Sequence, residues 1–196
     1  MNRLRLAILI SGRGSYMEAL LEAAKDPVYP ASPVLVLSNK PEAIGLDTAR
    51  KADIPALAID HRPFGKDREA FERQMDEALK HAGVEIIALA GFMRVLTPWF
   101  VREWSGRMIN IHPSLLPKYP GLNTHERAIE AGDTHAGCSV HWVTEGVDEG
   151  EIIAQAAVPI RDGDTANDLA RRILPEEHRL YPLALAKACA QITRRT

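Results

Sequence analysis

Cysteine is scarce in this chain: Cys138 and Cys189 are the only two among 196 residues, far apart and in no paired spacing. Such a pair builds neither a disulfide framework nor a cysteine zinc site, and a reducing, cytoplasmic setting is the expectation. An excess of one charge is also missing. Lys and Arg number 24 against 26 Asp and Glu, a formal net charge of -2, so no polyanionic partner is indicated. The basic stripe of a nucleic-acid binder is absent, and Arg194-Arg195 at the tail reads as a solvated terminus. Long apolar runs are lacking as well. The first ends at Ile10, too short to cross a bilayer and followed by no small-residue cleavage site, so no membrane role is expected. There is no Gly-x-Ser-x-Gly elbow, and the histidines lack a metal-like spacing, which argues against a serine hydrolase and against a metal centre.

What is present is a regular alternation of short apolar runs and amphipathic stretches, with no internal repeat or long linker. Apolar residues make up 46% of the chain, enough for a sizeable core, and 1–196 is read as a single domain. Strands are expected at Leu6–Ile10, Val34–Leu37, Pro55–Ile59, Val84–Ala90, Met108–His112, Ser139–Val143 and Ile152–Val158. Helices are expected at Tyr16–Lys25, Ile44–Lys51, from Asp67 to His81, from Thr97-Pro98 through Trp104, and near Glu126–Ala131. Two more follow from Thr165 and through Ala190, with a break at Pro175 because proline lacks the helical N–H. Such alternation predicts an α/β, Rossmann-like three-layer fold with a mostly parallel sheet, whose ligands sit at the carboxyl ends of the strands.

Two segments at those ends carry chemistry. Ser11-Gly12-Arg13-Gly14-Ser15 joins the first strand to the first helix. Its glycines let a ligand approach the backbone, and free N–H groups at a helix start favour phosphate. A third glycine near Met17 and an acidic end to strand two are missing, which disfavours a nicotinamide cofactor. The alternative is a tight turn that binds nothing. In the second segment, Asn110 and His112 share one face of a strand that Pro113 then ends. A histidine there is either structural or an acid–base group with an oxyanion donor beside it. Asp148, in Asp148-Glu149-Gly150-Glu151, reads by itself as part of a hairpin turn.

The run from His112 through Pro113-Ser114-Leu115-Leu116-Pro117-Lys118-Tyr119-Pro120 to Gly121 follows Leu89-Ala90-Gly91-Phe92-Met93-Arg94-Val95-Leu96. Together with Ile10-Ser11-Gly12-Arg13-Gly14-Ser15, Leu37-Ser38-Asn39-Lys40, Thr124-His125, Ser139-Val140-His141, Glu177-His178 and Tyr181-Pro182, it closely resembles the glycinamide ribonucleotide formyltransferases of purine biosynthesis. The resemblance covers nearly the whole chain. It implies a formyl transfer from 10-formyltetrahydrofolate, a co-substrate, to the amine of a phosphorylated glycinamide. It casts Asn110 as oxyanion donor, His112 as general acid, and Asp148 as the carboxylate that favours and orients the charged imidazole. It further implies that Gly14, Ser15 and Tyr16 hold the substrate phosphate, that Glu177 contacts the ribonucleotide, and that Arg68, Met93, Arg94, Val95 and Leu96 line the folate site with Asn110.

The chain departs from that pattern in places. Tyr16 stands where relatives usually have Asn, Glu149 where Gly is common, and Leu174 and Pro175 where more polar residues precede Glu177. A non-catalytic ligand sensor would draw on Tyr16 and Glu149 alone. A formyl-methionyl-tRNA enzyme would carry an RNA-binding domain after Thr196, and a formyl-folate hydrolase a regulatory domain ahead of the first strand; neither is expected here. Partners are therefore small molecules, with a homodimer left open.

Overall fold

The first strand sets the centre of the molecule. In the computed structural model, which describes residues 3–194, β1 (Leu4–Ile10) holds Leu6, Ala7, Ile8, Leu9 and Ile10 with no solvent exposure at all. Burying each Leu or Ile is worth about 1.5–3 kcal/mol, so this strand is fixed by hydrophobic burial on both faces. Leu6, Ile8 and Ile10 pack into one core layer and Ala7 and Leu9 into the other. Arg194 is exposed, while Met1, Asn2, Arg195 and Thr196 lie outside the described residues.

Around β1 stand β2 (Ala31–Ser38), β3 (Ala56–Ala58), β4 (Ile86–Leu89), β5 (Met108–His112), β6 (His135–Trp142) and β7 (Ile152–Pro159), in the order β3-β2-β1-β4-β5-β6-β7. The pairings from β3 across to β5 are parallel, and β5–β6 and β6–β7 are antiparallel. The chain runs from β1 out to β3 and then returns to β4 on the other side of β1. The reversal between β1 and β4 leaves a crevice at their carboxyl ends, the usual ligand position in such sheets.

One face carries residues of α1 (Ser15–Ala23), α2 (Ile44–Lys51), α5 (Thr124–Glu130) and α6 (Ala166–Thr193); the other carries α3 (Arg68–His81) and α4 (Pro98–Glu103). The expected three layers are present. Several caps follow from composition: Asp67 and Thr97 accept from Ala70 N and Phe100 N, and Thr165 forms a capping box with Asp168. Strand and helix ends otherwise move by a few residues, the largest change being β6, which starts at His135 rather than Ser139.

One expectation is overturned. The break at Pro175 does not occur, and α6 runs on as one helix of 28 residues with Pro175 and Pro182 inside it. An interior proline typically costs about 3 kcal/mol. Here the cost is offset by packing, because Leu169, Ile173, Tyr181, Leu185 and Ala188 are all buried against the sheet. Two tyrosines add anchors. Tyr29 Oη donates to Pro182 O at 2.8 Å, and the buried Tyr181 Oη donates to Leu89 O at 2.7 Å. The second bond fastens α6 to the carboxyl end of β4, and so brings Glu177, one turn earlier, to the crevice.

Candidate active site

The crevice is built from loops tied to one another by short polar contacts. Ser11 Oγ, just past β1, donates to Asn39 Oδ1 at 2.6 Å and accepts from Met93 N at 2.8 Å. The segment after β4 is thereby held to the ends of β1 and β2. Gly91 turns this segment at a φ of +76°, a conformation that glycine adopts without strain. The loop after β5 is fixed from the opposite side. Ser139 Oγ donates to Ser114 O at 2.6 Å, accepts from Leu116 N at 3.0 Å, and meets Gln155 Nε2 at 2.8 Å. Arg127 then donates to Pro120 O and Leu122 O.

These ties place two backbone groups on the central residues. His112 is 6% exposed, and its Nε2 lies 2.9 Å from Tyr119 O. Its Nδ1 lies 3.3 Å from Asp148 Oδ2, an oxygen that also accepts from Gly121 N at 2.9 Å. A second imidazole meets the same carboxylate: His141 Nε2 is 3.4 Å from Asp148 Oδ1. That approach is an ion-pair contact rather than a formed hydrogen bond, since His141 Nε2 has no hydrogen-bond partner. His141 Nδ1 lies 3.0 Å from Trp142 O.

The two rings share a hydrogen-bonding logic. A carbonyl only accepts, so the nitrogen facing Tyr119 O or Trp142 O carries a proton. The other nitrogen of each ring then faces the Asp148 carboxylate. Asp148 is thus a negative centre flanked by two imidazoles. Burial works to raise its carboxyl, but the His141 ring, the Gly121 N–H and the charge of His112 outweigh it and hold the group below the usual carboxylate range.

Asp148 itself sits in the connection between the antiparallel β6 and β7, with a φ of +54° that is unfavourable for a non-glycine residue. The connection is pinned two residues later. A side chain at Gly150 would run into the Trp142 carbonyl, so only glycine lets the chain pass this close to the end of β6. The turn expected at Asp148-Glu149-Gly150-Glu151 is therefore also the device that delivers the carboxylate to His112.

Two cavities meet at this cluster. One, of about 440 Å³, is lined by Tyr16, Gly91, Phe92, Met93, Asn110 and His112, and by Leu122 to Glu126 of the next loop and helix. The other, of about 170 Å³, is lined by Leu89, Phe92, Arg94, Val95, Leu96, Asn110, His141 and Asp148, among others. Phe92 and Asn110 line both, so the Asn110 carboxamide stands at their seam.

The remaining expected residues fall around these cavities. Gly14, at a φ of +81°, caps α1 with no side-chain hydrogen bond, leaving the first-turn N–H groups of Ser15 and Tyr16 without a cap; Arg13 is exposed. Arg68 donates to Val95 O at 3.2 Å, which brings α3 to the smaller cavity, and Arg94 lies 5.6 Å over the Phe71 ring. Glu177 is 4% exposed, and its Oε1 has no hydrogen-bond partner. Burial pushes its carboxyl up to about 7, against a smaller lowering influence of the nearby Tyr16 hydroxyl. Sequence reasoning assigned no part to His141. Its place directly opposite Asn110 in the antiparallel β5–β6 register is the signal that finds it, and that register appears only in the fold.

Comparison with known proteins gives a consistent picture. Residues 4–185 match the family described as formyl transferase. The trifunctional purine biosynthetic protein adenosine-3 of Drosophila pseudoobscura pseudoobscura is 53% identical over 196 residues, covering 98% of this chain but 14% of that protein. The chain thus spans about one seventh of that relative's length. The phosphoribosylglycinamide formyltransferase of Escherichia coli K12 is 43% identical over 183 residues, 93% of this chain and 86% of that one. Among solved structures, the phosphoribosylglycinamide formyltransferase of Brucella melitensis superposes with a TM-score of 0.91 at 53% identity, covering 96% of this chain and 97% of that one.

Proposed function

This chain belongs to the formyl transferase family, and from that premise we propose that it moves a formyl group from 10-formyltetrahydrofolate to the amine of 5-phosphoribosylglycinamide, a step of purine biosynthesis. The relatives named for that reaction support the substrate pair. The observation that carries the chemistry is the position of Asn110 at the seam of two cavities, with His112 in the larger and Asp148 in the smaller. Two substrates that exchange a one-carbon group must meet at such a seam.

In this reading the substrate amine attacks the formyl carbon, a new C–N bond forms, and the formyl oxygen gains negative charge. Asn110 donates a hydrogen bond to that oxygen, and charged His112 stabilises it. His112 then gives up its Nε2 proton, released from Tyr119 O, to the departing folate nitrogen as the old C–N bond breaks, and the proton shed by the attacking nitrogen returns to His112 and restores the charged ring. A well-placed histidine of this kind typically contributes about 100- to 10,000-fold. Asp148 acts by keeping the imidazole charged and oriented. The smaller cavity suits the flat ring system of a folate: Leu89, Phe92, Leu96 and Val101 supply apolar walls, and Arg94, Asn110, Thr144 and Asp148 supply polar ones. The phosphate belongs at the uncapped start of α1, beside Gly14, Ser15 and Tyr16. We place the reaction in the cytoplasm, in keeping with two buried free thiols.

The test is to follow release of tetrahydrofolate with and without the phosphorylated glycinamide. Release that depends on the amine supports the proposal. Equal release to water in its absence would make the chain a hydrolase instead.

A further inference from the structure

Asp133 stands behind the site and lines neither substrate cavity, yet one residue joins it to His112. The link is Tyr119, whose carbonyl oxygen lies 2.9 Å from His112 Nε2. The Tyr119 hydroxyl donates to Asp133 Oδ2 at 2.8 Å, and Lys118 Nζ reaches the two oxygens of the same carboxylate at 2.9 and 3.0 Å. Tyr119 thus meets the catalytic imidazole with its backbone and Asp133 with its side chain. Asp133 sits in the turn between α5 and β6, and its N–H donates back to Ala128 O of α5 at 3.1 Å.

The loop after β5 needs such an anchor. Tyr119 has a φ of +56°, a left-handed conformation that a residue with a side chain keeps only when its surroundings hold it there. Three successive carbonyls of this stretch are engaged. Lys118 O accepts from Ser114 Oγ at 2.6 Å, Tyr119 O faces the imidazole, and Pro120 O accepts from Arg127 at 2.6 Å. The Arg127 guanidinium also lies 5.2 Å over the Tyr119 ring. Lys118 and the Tyr119 hydroxyl hold the Asp133 carboxyl below the usual carboxylate range, so it remains an acceptor. The same hydrogen bond raises the phenol above its ordinary pKa, and the hydroxyl keeps its proton to donate.

On the basis of the reaction proposed above, we propose that Asp133 is a positioning residue for formyl transfer: through the Tyr119 side chain it sets the carbonyl that holds the His112 Nε2 proton before that proton is given up. A carbonyl only accepts, so its place decides where the Nε2–H points in the resting enzyme. A displacement of about 1 Å at a reacting group can cost about 100-fold in rate. Lys118 shares the carboxylate but is 60% exposed, and a surface ion pair of this kind contributes little. The route to His112 runs through the phenol.

The experiment compares the unaltered enzyme with Asp133→Ala, Asp133→Asn, Tyr119→Phe and Lys118→Met, reading kcat and the KM for each substrate. Asp133→Ala and Tyr119→Phe should each lower kcat about tenfold with both KM values within about twofold, because neither side chain lines a substrate cavity. Combining the two should cost no more than either alone, as expected of groups that act through one contact. Asp133→Asn keeps an acceptor for the phenol and should restore most of the loss. Lys118→Met should stay within about twofold of the unaltered kcat. In enzyme carrying nitrogen-15 histidine, the His112 Nε2–H resonance is identified by its loss in His112→Ala. It should shift in Asp133→Ala and Tyr119→Phe but not in Lys118→Met. The inference is overturned by a loss in Asp133→Ala that falls on KM, by Lys118→Met matching that loss, or by an unmoved His112 resonance. Absence of amine-dependent transfer by the unaltered enzyme would instead defeat the reaction itself, while the resonance still reads the link from Asp133 to His112, so the two failures are distinguishable.

Discussion

Replacing Asp148 by Asn tests the electrostatic core of the site. The substitution keeps an oxygen to accept from Gly121 N, which lies 2.9 Å from Asp148 Oδ2, so the connection between β6 and β7 should hold its shape. What disappears is a full negative charge 3.3 Å from His112 Nδ1 and 3.4 Å from His141 Nε2. At an effective dielectric of about 20, charges this close attract by about 5 kcal/mol. The dipole of the new amide and entering water return part of this, leaving about 2–4 kcal/mol, or about 30- to 1,000-fold in rate. The assay is kcat at saturation with both substrates, with circular dichroism and a melting curve to confirm folding. A folded Asp148→Asn enzyme within about threefold of the unaltered kcat would refute the reasoning. A stability signature accompanies the rate. Because the folded-state carboxyl is held low, its stabilising contribution is present above the ordinary carboxylate pKa of about 4 and is lost as pH falls through the folded value. The Asn variant should lack that part of the acid-side fall in stability.

Other expectations follow from the same geometry. His141→Gln removes the second imidazole from Asp148 and should lower kcat about tenfold while leaving KM for either substrate near its original value; a change confined to KM would contradict the assignment. Glu177 behaves in the opposite sense to Asp148. Its carboxyl is raised from 4.5 to about 7, so it favours the folded state most below about 4.5, and that advantage is lost as pH rises through about 7. Urea unfolding at pH 5 and pH 8 should show a loss of about 3 kcal/mol at the higher pH that Glu177→Gln does not share, and parallel behaviour would argue against it. Gly150→Ala drives a methyl group into the Trp142 carbonyl and should destabilise the fold by about 1–3 kcal/mol, visible as a lowered melting temperature with an even larger loss of activity.

The fold was readable where burial has a simple period. The apolar run at the first strand, the charged helix opened by Asp67 and the Thr97-Pro98 start all mark their elements directly. Pro175 misled because a local rule about a missing N–H says nothing of the packing that Leu169, Ile173, Tyr181 and Leu185 supply along the rest of α6. At the candidate site, alternation alone puts Asn110 and His112 on one face of a strand. It does not bring Asp148 to them, because that contact depends on the antiparallel return of β6 and β7 and on the close passage at Gly150. His141 stayed hidden for the same reason: its neighbour is set by strand register, not by spacing in the chain. The resemblance supplied Asp148, whereas the closeness of Tyr16 to Glu177 depends on α1 and α6 lying side by side.

The most direct single measurement follows the carbon itself. Enzyme is mixed with 5-phosphoribosylglycinamide and folate carrying a carbon-13 label in its formyl group, and the label is tracked by nuclear magnetic resonance. The account predicts that the signal moves to a formamide on the glycinamide nitrogen, and that His112→Ala slows this movement by orders of magnitude in line with loss of a general acid. Label appearing as free formate, or moving at an undiminished rate without His112, would contradict it.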